Sequence, residues 1–213
     1  MSKPKLIVFA SGTAEDKGGS GFENLVAATK TGVLDADIVA VISNHEHGSV
    51  HERADRLGIP FVFFGPDSDY AKIVADSGAE WVALSGWLKI AKGLDPQKTF
   101  NIHPALLSQL DGRFGGHGMY GSRIHEAVAE AFARGEITES GFTMHFVTDE
   151  LDRGPAFFER RVPLLAGMSP EEIAKAVNVA EHQWQPKITN MVVHGKIRWD
   201  GKDSNSLVVP ETF

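Results

Sequence analysis

The 213-residue chain contains no cysteine. Disulfide bonds, thiolate zinc sites and cysteine nucleophiles are therefore excluded. A protein of the reducing cytoplasm is expected to lack disulfides, so we predict a cytoplasmic location.

Positive charge is also scarce. Lys and Arg number 21 against 28 Asp and Glu, which gives a formal net charge of −7. Proteins that bind nucleic acid usually present a basic face, so we expect no nucleic-acid partner. An anionic metabolite is still compatible with this balance, because a local group of backbone N–H donors outweighs a distant net charge.

Long apolar runs are absent as well. Near the N-terminus, residues 6–10 form only a short apolar stretch. Such a stretch is too short for a signal-peptide core and far too short to span a bilayer. We therefore expect no membrane partner. Separately, we expect the protein to be either a monomer or a homodimer.

The first hundred residues instead alternate between apolar runs and helical stretches. The predicted strands are residues 6–10, 37–42, 60–64 and 81–84, and the predicted helices are residues 21–31, 50–57 and 70–77. Continuous apolar strands separated by helices are typical of a parallel sheet covered on both faces. The pattern predicts an α/β fold with a doubly wound, mostly parallel, Rossmann-like sheet.

The second half has a different character. Residues 99–102 read as a strand, residues 104–122 as an irregular glycine-rich stretch, and residues 122–134 as a helix. Alternating residues predict partly antiparallel strands at 141–147 and 156–162. A helix over residues 170–192 follows, with Ser169 as its N-cap and Glu172 closing a capping box, and then a turn and a last short strand. Since no linker interrupts the chain, we predict one domain over residues 1–213.

The loop after the first strand is rich in glycine. Residues 12–21 contain four glycines, and Ser20 is predicted to cap the next helix with Glu23 as its partner. Glycines allow close backbone approach and a helix N-terminus offers free N–H groups, so the loop can bind a phosphate. A flexible connection explains the composition equally well, and neither a dinucleotide fingerprint nor a Walker loop is present.

Asn101 and His103 lie where a predicted strand ends, and they alternate along it, so both point to one side. Asparagine can donate an N–H to a developing oxyanion, and histidine can donate a proton near neutral pH. A nearby carboxylate would raise the histidine pKa, and residues 148–154 supply three candidates. From these residues alone, an Asn-x-His pair at the end of a strand is more often structural than catalytic.

Two longer segments carry a resemblance to a known family. Residues 101–107, NIHPALL, and residues 145–152, HFVTDELD, resemble the glycinamide ribonucleotide formyltransferases, and the similarity covers almost the whole chain in order. The first segment is shared by the wider folate-dependent formyltransferase superfamily, and the second also occurs in formyltetrahydrofolate hydrolases. The resemblance implies formyl transfer from 10-formyltetrahydrofolate to the amine of glycinamide ribonucleotide in de novo purine biosynthesis, without a metal.

The resemblance also implies roles for individual residues. The catalytic residues would be Asn101, His103 and Asp152. In the nucleotide-binding half, about residues 1–100, and on the last long helix, the acceptor would be bound by Gly19, Ser20, Gly21, Asn178 and Glu181. The half from about residue 101 onwards would be the folate-binding and catalytic half, and the implied folate-binding residues of the whole chain are Trp87, Leu88, Lys89, Ile90, Val147, Thr148, Glu150 and Leu151.

Some positions depart from the family pattern. The phosphate loop is longer than the usual Ser-Gly-x-Gly-Ser-Asn and contains Glu15 and Asp16, and Arg153 stands where glycine is usual. Two other functions therefore stay open: formyl transfer to another amine, such as a nucleotide-linked amino sugar, or hydrolysis of formyltetrahydrofolate.

His145 is either a buried, hydrogen-bonded histidine or a participant in catalysis.

Overall fold

The computed structural model describes residues 2–13, 15 and 18–213. Within this part of the chain, one seven-stranded sheet has the order β3-β2-β1-β4-β5-β6-β7. Its strands are β1 Lys5–Phe9, β2 Asp37–Ser43, β3 Phe61–Phe63, β4 Trp81–Ser85, β5 Thr99–His103, β6 Glu139–Phe146 and β7 Ala156–Pro163. The helices are α1 Ser20–Thr31, α2 Ser49–Leu57, α3 Tyr70–Ser77, α4 Ser122–Ala133 and α5 Pro170–Val193.

Strands β1 to β5 are mutually parallel, and β6 and β7 are antiparallel additions. The predicted fold class is therefore confirmed. Alternate residues of β1 explain the two layers: Leu6 and Val8 face the larger core beneath α1, α4 and α5, whereas Ile7 and Phe9 face a smaller core beneath α3. Burial of both faces is why these strands are continuously apolar.

Helix α5 begins as predicted. The Ser169 side chain accepts from the Glu172 N–H, and the Glu172 side chain accepts from the Ser169 N–H. On its inner face, Ile173, Val177 and Ile188 are fully buried. The helix therefore packs its apolar stripe on the larger core and carries its more polar residues to the edge of the sheet.

Two local predictions were wrong. Helix α1 is capped by the backbone of Gly19, which has φ +85°, so Ser20 is already the first helical residue and does not cap it. The last short strand is reduced to a single bridge between Arg198 and Val208. The glycine-rich stretch is irregular as predicted, apart from a short 3-10 turn at Gln109–Gly112.

The topology brings the carboxyl ends of β1, β4 and β5 to one edge of the sheet. Strand β6 runs back along β5, so Asn101 lies opposite His145 and His103 lies opposite Thr143. Among the described residues, no helix combines the length and the apolar character needed to cross a bilayer.

Candidate active site

The three predicted catalytic residues meet at the end of β5. Asp152 Oδ2 lies 3.7 Å from His103 Nδ1, and its Oδ1 lies 3.6 Å from His145 Nε2. Asn101 Nδ2 lies 3.2 Å from the same His145 nitrogen. The structure thus joins two segments about fifty residues apart in sequence into one buried polar cluster.

His103 is held from both sides of its ring. Its Nε2 lies 2.6 Å from the carbonyl oxygen of Phe114, which can only accept, so Nε2 carries the proton. Burial lowers the pKa of His103, and the Asp152 carboxylate acts against that shift without cancelling it. The neutral imidazole therefore presents Nδ1 to Asp152 near neutral pH.

Asp152 stays ionised in spite of its burial. Burial acts to raise the pKa of this carboxyl, but the neighbouring His145 and His103 side chains and the Gly116 N–H outweigh it, and the pKa is lowered. The Gly116 N–H donates to Asp152 Oδ2 at 2.9 Å. Asp152 has φ +55°, a conformation that is strained for a residue with a side chain.

His145 belongs to this cluster, although the motif alone left its role open. Its Nδ1 donates to the Phe146 carbonyl at 2.8 Å, so Nε2 is free to accept from the Asn101 amide. This bond fixes the rotation of the Asn101 amide and leaves its second N–H for a ligand. The alternation of His145 with Phe146 on a strand paired to β5 was the available signal.

A cleft of about 590 Å³ passes over the cluster, and its two ends differ in character. At one end, Leu88, Ile90 and Leu151 are 49%, 44% and 37% exposed, which is unusual for large apolar side chains. The predicted folate-binding residues all line the cleft: Trp87, Leu88, Lys89, Ile90, Val147, Thr148, Glu150 and Leu151.

Trp87 contributes differently from its neighbours. Its indole lies in the smaller core, edge-on to Phe9 and Phe64 at centroid distances of 5.3 and 5.5 Å. The indole N–H donates to the Tyr70 hydroxyl at 3.1 Å. Trp87 therefore anchors the segment, and Leu88 to Ile90 present their side chains to the cleft.

The other end of the cleft is polar. Gly19, Ser20 and Gly21 bring the N-terminus of α1 to it, and the first-turn N–H groups of a helix lack partners within the helix. From α5, Asn178 donates to Glu181 at 3.3 Å. Burial raises the pKa of Glu181 to about 7. All five predicted acceptor-binding residues thus line this end.

The structure describes only part of the rest of the phosphate loop, residues 12–21. Glu15 is exposed, whereas Asp16 and Lys17 lie outside the described residues. Arg53 of α2 supports the loop from behind, because its Nε donates to the Gly18 carbonyl at 3.2 Å and its guanidinium pairs with Glu23.

Three lining residues were not anticipated. Ser85 and Gln185 line the cleft beside α1, and His125 of α4 lines it near His103. Burial lowers the pKa of His125 to about 4, and its Nδ1 has no hydrogen-bond partner among the described residues. Among the described residues, no group of His, Asp and Glu side chains has an arrangement that could hold a metal ion.

The comparisons with known proteins agree with this architecture. The formyl transferase family model matches residues 4–189. The chain therefore belongs to the formyl transferase family, as its motifs predicted.

Within the family, the relatives include several phosphoribosylglycinamide formyltransferases. A chloroplastic phosphoribosylglycinamide formyltransferase of Arabidopsis thaliana is 32% identical over 211 residues, covering 92% of this chain and 68% of the relative. The phosphoribosylglycinamide formyltransferase of Bacillus subtilis is 27% identical, covering 89% of this chain and 94% of its own length. A solved phosphoribosylglycinamide formyltransferase of Coxiella burnetii has a TM-score of 0.75 and 26% identity, over 98% of this chain and 100% of the other.

Proposed function

We propose that this chain transfers a formyl group from 10-formyltetrahydrofolate to the amine of glycinamide ribonucleotide, a step of de novo purine biosynthesis. The observation that carries the proposal is the position of Asn101, His103 and Asp152 between an apolar and an anion-compatible end of one cleft. The names of the relatives favour glycinamide ribonucleotide over another amine.

The cosubstrate supplies the formyl group. As the amine nitrogen attacks the formyl carbon, negative charge develops on the formyl oxygen, and the free N–H of Asn101 stabilises that charge. His145 keeps this N–H in place because it accepts the other one at 3.2 Å.

The amine must lose a proton while the folate nitrogen gains one. Asp152 attracts the amine proton because it stays ionised, and His103 Nδ1 lies 3.7 Å from it. The pair passes the proton on, and the bond between the formyl carbon and the folate nitrogen breaks as that nitrogen is protonated. Burial of the pair excludes water, which would otherwise compete as acceptor.

The two ends of the cleft divide the substrates. The exposed apolar side chains Leu88, Ile90 and Leu151 suit the flat ring of a reduced folate, which would lose apolar surface to water on binding. The N-terminus of α1 suits the phosphate of the acceptor. We place the reaction in the cytoplasm, in a single domain that acts as a monomer or homodimer.

One assay tests the proposal. Wild-type protein is mixed with 10-formyltetrahydrofolate and glycinamide ribonucleotide, and loss of the folate formyl group and appearance of the formylated amine are followed together. We expect equal amounts of both. Loss of the folate formyl group when no amine is present would indicate a hydrolase. Activity only with a nucleotide-linked amino sugar would indicate that the acceptor is an amino sugar and not glycinamide ribonucleotide.

A further inference from the structure

The polar end of the cleft contains a buried pair of side chains. Ser85, the last residue of β4, is 5% exposed, and Gln185 of α5 is 2% exposed. Gln185 Nε2 donates to Ser85 Oγ at 3.0 Å. Because the oxygen accepts this bond, the Ser85 O–H is still available to donate, and the described residues show no hydrogen bond that it donates.

This pair excludes a side chain from the loop at position 21. A Cβ built on Gly21 would lie 2.3 Å from Ser85 Oγ and 3.2 Å from Gln185 Oε1. Gly21 does not have a positive φ, so the requirement for glycine is one of space and not of backbone conformation. Ser85 and Gln185 therefore occupy the volume that a side chain in the first turn of α1 would fill.

The position of the Ser85 hydroxyl defines what it can bind. It lies against the first turn of α1, where unpaired N–H groups favour an anion, and Ser85, Gln185 and residues 18–21 line the same end of the cleft. A buried, unused O–H donor at that place has the chemistry to complete the coordination of a phosphate.

We propose that Ser85, oriented by Gln185, donates a hydrogen bond to the phosphate of the acceptor nucleotide and so helps to select a phosphorylated acceptor. The inference rests on the proposed function and adds two residues to it. Gln185 acts through Ser85 and is a positioning residue, whereas Ser85 contacts the substrate.

The test compares two variants on two acceptors. Ser85→Ala removes the donor, and Thr189→Val is the matched control, because Thr189 is a fully buried residue of α5 whose hydroxyl has no partner among the described residues and which does not line the cleft. The acceptors are glycinamide ribonucleotide and its dephosphorylated riboside.

We expect Ser85→Ala to raise the KM for the ribonucleotide about ten-fold, since one hydrogen bond to a charged group is lost, and to leave kcat and the KM for folate unchanged. On the riboside, Ser85→Ala and wild type should have equal KM values, and Thr189→Val should match wild type on both acceptors. An unchanged KM for the ribonucleotide, or equal losses on both acceptors, would overturn the inference. Failure of wild type to formylate the ribonucleotide would overturn the proposed function instead.

A second experiment covers the case in which Ser85→Ala folds poorly. Gly21→Asn should collide with Ser85 and weaken ribonucleotide binding, whereas the double variant Gly21→Asn/Ser85→Ala frees the space and supplies a new N–H donor. We expect the double variant to regain most of the lost affinity, measured by titration of the ribonucleotide. If Gly21→Asn alone bound the ribonucleotide with wild-type affinity, Ser85 would not exclude a side chain at position 21. The same conclusion would follow if the double variant bound the ribonucleotide no more tightly than Gly21→Asn.

Discussion

The catalytic cluster and the acceptor end of the cleft are built in different ways. The catalytic cluster comes from two short segments, and its polar groups are fixed by neighbouring backbone: Phe114 and Phe146 carbonyls orient the two histidines, and the Gly116 N–H binds Asp152. The acceptor end draws on the loop before α1, the end of β4 and the face of α5. Substitutions in the catalytic cluster should therefore reduce turnover. Substitutions at the acceptor end should reduce affinity for the acceptor nucleotide.

The largest effect is expected at His103. His103→Ala should lower kcat at least about a hundred-fold, because it removes a proton-transfer group from the reaction centre, and should leave folate binding measurable. The measurements are steady-state kinetics and folate titration. His117→Ala is the control, since His117 is exposed and does not line the cleft, and it should keep the wild-type rate. If His103→Ala kept more than about a tenth of the activity, His103 would not be central.

Asp152→Asn should have the next largest effect, a loss of roughly ten- to a hundred-fold in kcat. The substitution keeps the shape of the side chain but removes the negative charge, and that charge raises the pKa of His103. Without it the pKa of His103 falls further, so the pH dependence of kcat should move towards acid. An unchanged rate with an unchanged pH profile would exclude Asp152 from the mechanism.

At the acceptor end, Gly19→Val should raise the KM for the amine nucleotide about ten-fold, with folate affinity nearly unchanged. Gly19 has φ +85°, and an added Cβ would lie 2.8 Å from Val50 Cγ2, so the loop must move away from the phosphate position. Gly32→Val is matched to it: Gly32 has φ +77° at the opposite end of α1, with nothing within 4 Å of its Cβ position.

Gly32→Val should therefore show the backbone strain as a lower Tm without a change in KM. Equal affinity for the nucleotide in wild type and Gly19→Val would remove the loop from the acceptor site and turn attention to another amine. This pair of variants tests the contrast between the catalytic cluster and the acceptor end most directly, because both residues lie outside the cluster.

The same contrast explains what the sequence could predict. The start of α5 was predictable because Ser169 and Glu172 bond within three residues of each other. The cap of α1 was not, because it depends on the left-handed backbone of Gly19, while Ser20 Oγ lies 3.2 Å from His182 Nε2, a partner 162 residues away.

Long-range pairs escaped prediction for the same physical reason. Asn101, His103 and Asp152 were identified because contiguous motifs carry them. The bond between Ser85 and Gln185 joins residues 100 positions apart, and only the folded structure brings them together. His145 was visible in its motif, but only the register of β6 against β5 places it beside Asn101.

The smallest effect is expected at Glu181, which lies at the acceptor end but is not needed for the chemistry. Glu181→Gln should raise the KM for the nucleotide a few-fold, about the difference between a charge-assisted and a neutral hydrogen bond, and leave kcat unchanged. The more specific consequence concerns stability. Burial raises the pKa of this carboxyl from 4.5 to about 7, so the folded chain holds the proton more tightly than the unfolded chain does.

The sign of the pH effect follows from that difference. Between about pH 4.5 and 7 the folded state binds more protons at Glu181, so its contribution to the free energy of unfolding falls as pH rises, by on the order of 3 kcal/mol in all. Glutamine cannot ionise, so Glu181→Gln should gain stability relative to wild type as pH rises through this window. Urea unfolding of both proteins at pH 5 and pH 8 measures the difference, and Glu126→Gln, an exposed residue of α4, serves as the control. A gap between Glu181→Gln and wild type that stays constant from pH 5 to pH 8 would show that Glu181 is not buried in a protonated form, and would leave the acceptor end with an ordinary ionised carboxylate.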